Sequence, residues 1–96
     1  MLTEFEVRRE LDLIQSSDAP PRAKARRLLR LGKSLRKQAC LLGDARARSR
    51  RSSNINAQRQ LERMEANSRR LQDEVRSTAL TLLRLNAGYR WQKSLA

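Results

Sequence analysis

The sequence predicts an all-α protein, a small bundle or hairpin of three helices with a long, coiled-coil-like C-terminal helix. Leucine and alanine supply most of the apolar residues, whereas aromatic residues make up only 3% of the chain, too few for a typical β-sheet core. The leucines recur at spacings of three and four, the period of an α-helix. A chain of 96 residues forms one domain of modest stability, which favours support from a partner or a second copy.

The first helix is predicted from Thr3 to about Gln15. Thr3 and Glu6 form a capping-box pattern, and the acidic first turn suits the positive end of the helix dipole. Residues 16–21, Ser-Ser-Asp-Ala-Pro-Pro, then end the helix, because two successive prolines cannot lie within one. We expect this acidic helix to pack on the other two and to mask part of their positive charge.

The second helix is predicted from Pro21 to Leu42, with Gly43 and Asp44 as its stop. Because successive residues of a helix are rotated by 100°, the second helix has two sides of different polarity. One side is apolar and holds Leu28, Leu31, Leu35, Ala39 and Leu42. The opposite side, here called the basic arc, holds Arg22, Arg26, Arg30, Lys33 and Lys37.

Residues 44–53 carry no hydrophobic periodicity and are predicted to form an extended connector, held open by charge repulsion. Its arginines are Arg46, Arg48, Arg50 and Arg51. Together with the second helix it concentrates twelve Arg and Lys residues between positions 22 and 51, against one acid, Asp44, in a chain of net charge +12. So local an excess indicates a surface for an anionic partner.

The third helix is predicted from about residue 54 to about Ala87, closed by Gly88 and followed by a tail, residues 88–96. Its apolar residues alternate at spacings of three and four, as in a coiled coil. Tyr89 and Trp91 are residue types enriched at binding hot spots. We therefore predict a partner seam for another protein or a second copy, made of Leu61, Met64, Leu71, Val75, Leu80, Leu82, Leu83, Leu85, Tyr89 and Trp91. The alternative is that the stripe is internal core and that Trp91 folds back on the helix end.

Several classes of function find no support. The chain has no histidine, a single cysteine, Cys40, and three scattered glycines, so the sequence predicts no catalytic residue, no metal, no cofactor and no small-molecule substrate. It has no apolar run near the ~20 residues of a membrane span, and its acidic start is unlike a presequence. We expect an intracellular protein that is not an enzyme.

Two functions fit. In the first, the chain is an adaptor or assembly subunit, whose partner seam binds a protein or a second copy while the basic arc and the connector arginines bind an anionic surface. In the second, residues 22–51 contact the phosphate backbone of RNA or DNA, without the aromatic residues that stack on bases. A merely solvated basic face is a third interpretation. An anionic membrane is disfavoured, because the arc has no Trp or Phe at its apolar border.

Overall fold

The computed structural model describes the backbone of residues 1–51 and 54–95, and the side chains of residues 1–51 and 54–84. It contains three helices, α1 (Glu4–Ser16), α2 (Pro21–Ser49) and α3 (Ile55–Leu95), and the described residues form no strand. The predicted all-α class is confirmed. α2 and α3 form an antiparallel hairpin, and the short α1 packs against both.

The three helices begin where their local sequence signals predict. Thr3 caps α1, since its hydroxyl accepts a hydrogen bond from the Glu6 amide at 3.2 Å. Pro21 is the first residue of α2, a position where its missing N–H has no consequence. Asn54 caps α3, and its side-chain oxygen accepts a hydrogen bond from the Ala57 amide at 3.1 Å.

The predicted end of the second helix at Leu42 is wrong, and the predicted connector is wrong over residues 44–49. α2 continues through Gly43 to Ser49. Gly43 does not take the positive φ of a helix-ending glycine. It lies beside α3, where an added Cβ would be 3.2 Å from Glu65 Oε1. This glycine therefore permits a close approach of the two helices and does not end α2.

The last turns of α2 are held by contacts that the sequence pattern did not reveal. Arg46 Nε lies 3.0 Å from Glu65 Oε2, so this part of the predicted connector is attracted to α3. The Ser49 hydroxyl donates to the Arg46 carbonyl at 2.9 Å, and Gln58 Nε2 donates to the Ser49 carbonyl at 2.8 Å. These bonds satisfy carbonyls that a helix end leaves unpaired. Residues 52–53 of the predicted connector lie outside the described residues.

The predicted end of the third helix at Ala87 is also wrong, because helical backbone continues to Leu95. Gly88 costs a helix interior only about 1 kcal/mol relative to alanine, and four of the seven residues from 89 to 95 are good helix formers, namely Arg90, Gln92, Lys93 and Leu95. Residues 88–95 of the predicted tail are therefore part of α3, and residue 96 lies outside the described residues. The tail's side chains, with those of Leu85, Tyr89 and Trp91, lie outside the described residues.

α1 covers only one half of the hairpin. It runs parallel to α3, since Glu4 and Arg8 bond Arg70 and Glu74, and its first residues reach Gln38 of α2. We call the covered part (residues 1–38 and 68–84) the three-helix half, and the rest (39–51 and 54–67) the two-helix half. The main apolar core lies in the three-helix half and contains Val7, Leu11, Ile14, Ala25, Leu28, Leu35, Leu71, Val75 and Ala79.

Candidate anionic-partner site

The basic arc lies on the outer surface of α2, away from the core. Leu28 and Leu35 of the same helix are fully buried, and the 100° rotation per residue places the arc on the opposite side. From Arg22 to Lys37 the arc extends over about 22 Å of helix. All five of its residues are exposed, namely Arg22, Arg26, Arg30, Lys33 and Lys37.

The arc has no acidic partner among the described residues. The ion pairs of the described chain involve Arg8, Arg46, Arg69 and Arg70, and none involves an arc residue. α2 itself has no acid before Asp44. Arg27 and Arg36, which flank the arc, are exposed and also form no described ion pair. The charge on this side of α2 is therefore uncompensated, and its field attracts anions.

No acid of α1 forms an ion pair with the arc among the described residues, although Glu10 lines a surface hollow together with Arg30. Glu4 and Arg8 of α1 form a closed group of alternating charges with Arg70 and Glu74 of α3, in which Arg8 donates two hydrogen bonds to Glu74 at 2.8 and 3.2 Å. The hydrogen bond from the Arg70 guanidinium, at 3.0 Å, holds the pKa of Glu4 below its ordinary value. The hydrogen bonds to Glu74 raise the pKa of Arg8. These pairs join α1 to α3, and none of them includes a cation of α2.

The four predicted connector arginines do not lie on one surface. Because the helix continues past Gly43, Arg48 lies on the same side of α2 as the arc, whereas Arg46 faces α3. Arg46 is half-buried. Its Nε is close enough to Glu65 for an ion pair, but it forms no hydrogen bond of good geometry. Arg46 is therefore a structural residue and not part of an anion site. Arg50 and Arg51 are exposed in the turn that follows α2.

Part of the predicted partner seam is internal core. Leu71 and Val75 are fully buried against α1 and α2, so a partner cannot reach them unless the helices separate. For these two residues the internal interpretation of the stripe is correct. Leu80 is 43% exposed. The remaining described seam residues are half-buried, namely Leu61, Met64, Leu82 and Leu83. The side chains of Leu85, Tyr89 and Trp91 lie outside the described residues.

The structure adds a groove that the sequence pattern did not predict. It lies between α2 and α3, and its lining comprises Leu28, Leu29, Gly32, Lys33, Arg36, Gln72 and Arg76. Leu29 falls outside the apolar side of α2 and is 45% exposed. In the sequence, the position of Leu29 outside the apolar side of α2 was the signal for this groove. The position of the groove itself depends on the register between the two helices.

The remaining chemistry of the described residues is sparse. Cys40 is exposed among the cations of α2, and no cluster of three His, Cys, Asp or Glu residues in the described part of the chain could hold a metal ion. No helix within the described ranges combines the length and apolar character needed to cross a membrane. In comparisons with known proteins, the chain matches no family model, no curated protein and no solved structure. A functional assignment therefore depends on the geometry of its own surface.

Proposed function

We propose that this chain is a non-enzymatic helical adaptor that binds an anionic partner through the basic arc of α2. The observation that carries the proposal is the row of five unpaired cations on one side of a single helix. Four arginines elsewhere form ion pairs, whereas the five arc residues are exposed on one continuous helix with no acidic partner among the described residues.

The spacing of the arc favours joint action of its cations. Residues three or four apart on a helix are neighbours about 5–6 Å apart. This distance is shorter than the Debye length of about 8 Å at physiological ionic strength, so each arc residue adds to the field of the next. The guanidinium of arginine also offers a planar fork that suits carboxylate or phosphate. An extended anionic surface would meet several of these groups at once.

Nucleic acid is the second candidate partner. It is favoured by the length of α2, from Arg22 to Lys37, that contains no acidic residue. Contacts to a phosphate backbone need only such a row of cations. If five phosphates were neutralised, the logarithm of the binding constant for duplex DNA would fall with the logarithm of salt concentration with a slope of about −4.5.

The test compares two variants of the full chain with the same change of charge. The arc variant carries Arg26→Glu, Arg30→Glu and Lys37→Glu. The control carries Arg59→Glu, Arg63→Glu and Arg84→Glu, which are exposed α3 residues without a described ion pair. Fluorescence anisotropy would measure binding to a short DNA duplex, a short RNA duplex and polyglutamate over a range of salt concentrations.

We expect the arc variant to lose at least about tenfold in affinity while the control loses much less. Equal losses in the two variants would mean that total charge alone determines binding, and the arc would lose its special role. Binding to the duplexes but not to polyglutamate would select phosphate as the counter-charge, and the reverse would select carboxylate. No binding to any of the three polyanions would contradict the proposal.

A further inference from the structure

The groove between α2 and α3, here called the open groove, lies on the side of the hairpin opposite α1. α1 contacts one edge of α2, where Lys24 Nζ donates to the Gln15 carbonyl at 2.9 Å and Gln38 Nε2 donates to the Leu2 carbonyl at 3.0 Å. The α2 residues of the open groove include Gly32 and Arg36, which lie on the other edge. One side of the hairpin thus holds α1, whereas no described helix covers the opposite side, where the open groove lies.

The open groove has an apolar floor. Gly32 is buried and contributes no side chain, and Leu28, one turn earlier on the same helix, is fully buried. At one end of the groove, Leu29 of α2 is 45% exposed. Leu80 of α3, one helical turn beyond Arg76 on the same side, is 43% exposed. These leucines extend the apolar surface of the core to the solvent.

The rim of the open groove is cationic. Lys33 and Arg36 of α2 and Arg76 of α3 line it, and all three are exposed without a described ion pair. A polyanion such as nucleic acid could satisfy these charges, but it would leave the two exposed leucines without an apolar partner. The combination of apolar walls and cations within one groove calls for a ligand that has both apolar and acidic side chains.

α1 shows that this hairpin can hold such a ligand. It is an acidic amphipathic helix that buries Val7, Leu11 and Ile14 against the core, while Glu4 bonds Arg70 at the edge of the contact. The open groove offers the same two elements, exposed leucines and free cations. A second copy of this chain is a poor occupant, because its acidic helix already lies on its own hairpin and its other two helices are basic.

We propose that the open groove docks an acidic amphipathic helix of a partner protein. Apolar residues of that helix, spaced by one turn, would cover Leu29 and Leu80, and its carboxylates would pair with Lys33, Arg36 and Arg76. Helix-in-groove recognition of this kind depends on apolar anchors at positions i, i+3 or i+4 and i+7. The inference rests on the proposed function, because it identifies the anionic partner. It adds a binding site next to the basic arc that shares Lys33 with it.

The first experiment uses the full chain and a labelled synthetic peptide of about 18 residues, with leucines on one side of the helix and glutamates beside them. One control peptide has lysine in place of every glutamate, and another has the same composition in scrambled order. We expect the acidic peptide to bind with a dissociation constant of about 10 μM or below, and the controls to bind at least about tenfold more weakly. No binding of the acidic peptide, or equal binding of the lysine peptide, would overturn the inference.

The second experiment places the peptide. Leu80→Asp and Arg76→Glu should each weaken binding at least about tenfold, with unchanged helicity, because both side chains are exposed. Arg59→Glu is the matched control for charge and should have little effect.

If only the arc variant loses binding, the proposed function stands and the open groove is wrong. If only the groove variants lose binding, the groove is supported and the arc is not. Self-association of the chain that Leu80→Asp abolishes would replace the partner helix by a second copy.

Discussion

The two halves of the hairpin use the same pair of helices and different chemistry. In the three-helix half, α1 covers the α2–α3 contact, and the interior is apolar except for Ser68, whose hydroxyl accepts a hydrogen bond from Gln38 Nε2 at 2.9 Å. In the two-helix half, the buried residues of the contact are Ala39 and Leu42 from α2 and the acidic Glu65 from α3. The comparison shows that an amphipathic stripe becomes an apolar core only where a third element completes its cover. In the two-helix half the contact has fewer buried apolar residues and includes the Arg46–Glu65 ion pair.

Glu65 is central to the two-helix half. It is only 8% exposed, and its carboxylate lies 3.0 Å from Arg46 Nε and 3.2 Å from Arg69 Nη2. A buried carboxylate needs such partners, because an unpaired charge in this position would be costly. The arrangement also fits one register of α2 against α3, with Gly43 directly beside the carboxylate. We interpret the Arg46–Glu65 ion pair, here called the polar lock, as the contact that fixes the register of α2 against α3 where few apolar residues are buried.

The largest expected effect distinguishes the packing of the two halves. Leu71→Ala removes a side chain that is 1% exposed in the apolar core and should lower the free energy of unfolding by about 3 kcal/mol. Leu61→Ala removes the same atoms from a half-buried position in the two-helix half and should cost about 1 kcal/mol. Urea denaturation followed by circular dichroism measures both values. Equal losses would mean that the two halves are packed alike.

A smaller effect is expected from the polar lock. Glu65→Gln removes the charge that faces Arg46 and Arg69 and should lower the free energy of unfolding by about 1–2 kcal/mol. Glu62→Gln changes the same group at an exposed position without a described ion pair, and it should be nearly neutral. Chemical denaturation of the two variants side by side tests this difference. A neutral Glu65→Gln would show that the lock contributes nothing to stability.

The two buried-side glycines of α2 provide a matched pair across the halves. Both substitutions to alanine gain helix propensity, worth up to about 1 kcal/mol. At Gly32 the new Cβ would lie 3.6 Å from Val75 Cγ1, an ordinary contact, so Gly32→Ala should raise the melting temperature. At Gly43 it would lie 3.2 Å from Glu65 Oε1 and displace the carboxylate, which should offset the gain. A Gly43→Ala variant as stable as Gly32→Ala would mean that the carboxylate moves freely.

The smallest effect concerns the attachment of α1. Because the hydrogen bond from Arg70 lowers the pKa of Glu4 in the folded chain, the folded state holds this proton less tightly than the unfolded state, whose ordinary pKa is about 4.5. The resulting stabilisation is present above that value and is lost as the pH falls through the lower folded pKa. Amide hydrogen exchange should show weaker protection of α1 at about pH 3 than at about pH 6.

Glu4→Gln should remove much of this pH dependence, and Glu6→Gln, at an exposed position without a described ion pair, is the control. If the protection of α1 changes with pH equally in both variants, the Glu4 pairing does not control its docking.

Local signals were sufficient for the starts of the helices and the sides of α2. Thr3, Pro21 and Asn54 act through bonds within a few residues of themselves, so their roles could be predicted without tertiary contacts. The end of α2 could not be predicted in this way. Gly43 is compatible with both a helix end and a close helix crossing, and only the position of Glu65 on the neighbouring helix distinguishes the two.

The sequence by itself determined the all-α class, the order of the three helices and the exposed basic arc, because these depend on helical periodicity and on charges close together in the chain. The tertiary structure alone decided which residues are available to a partner. It buried Leu71 and Val75, paired Arg46 with Glu65, and joined Lys33, Arg36 and Arg76 in one groove. The physical reason is that burial and pairing depend on the register between helices, which brings together residues distant in the sequence.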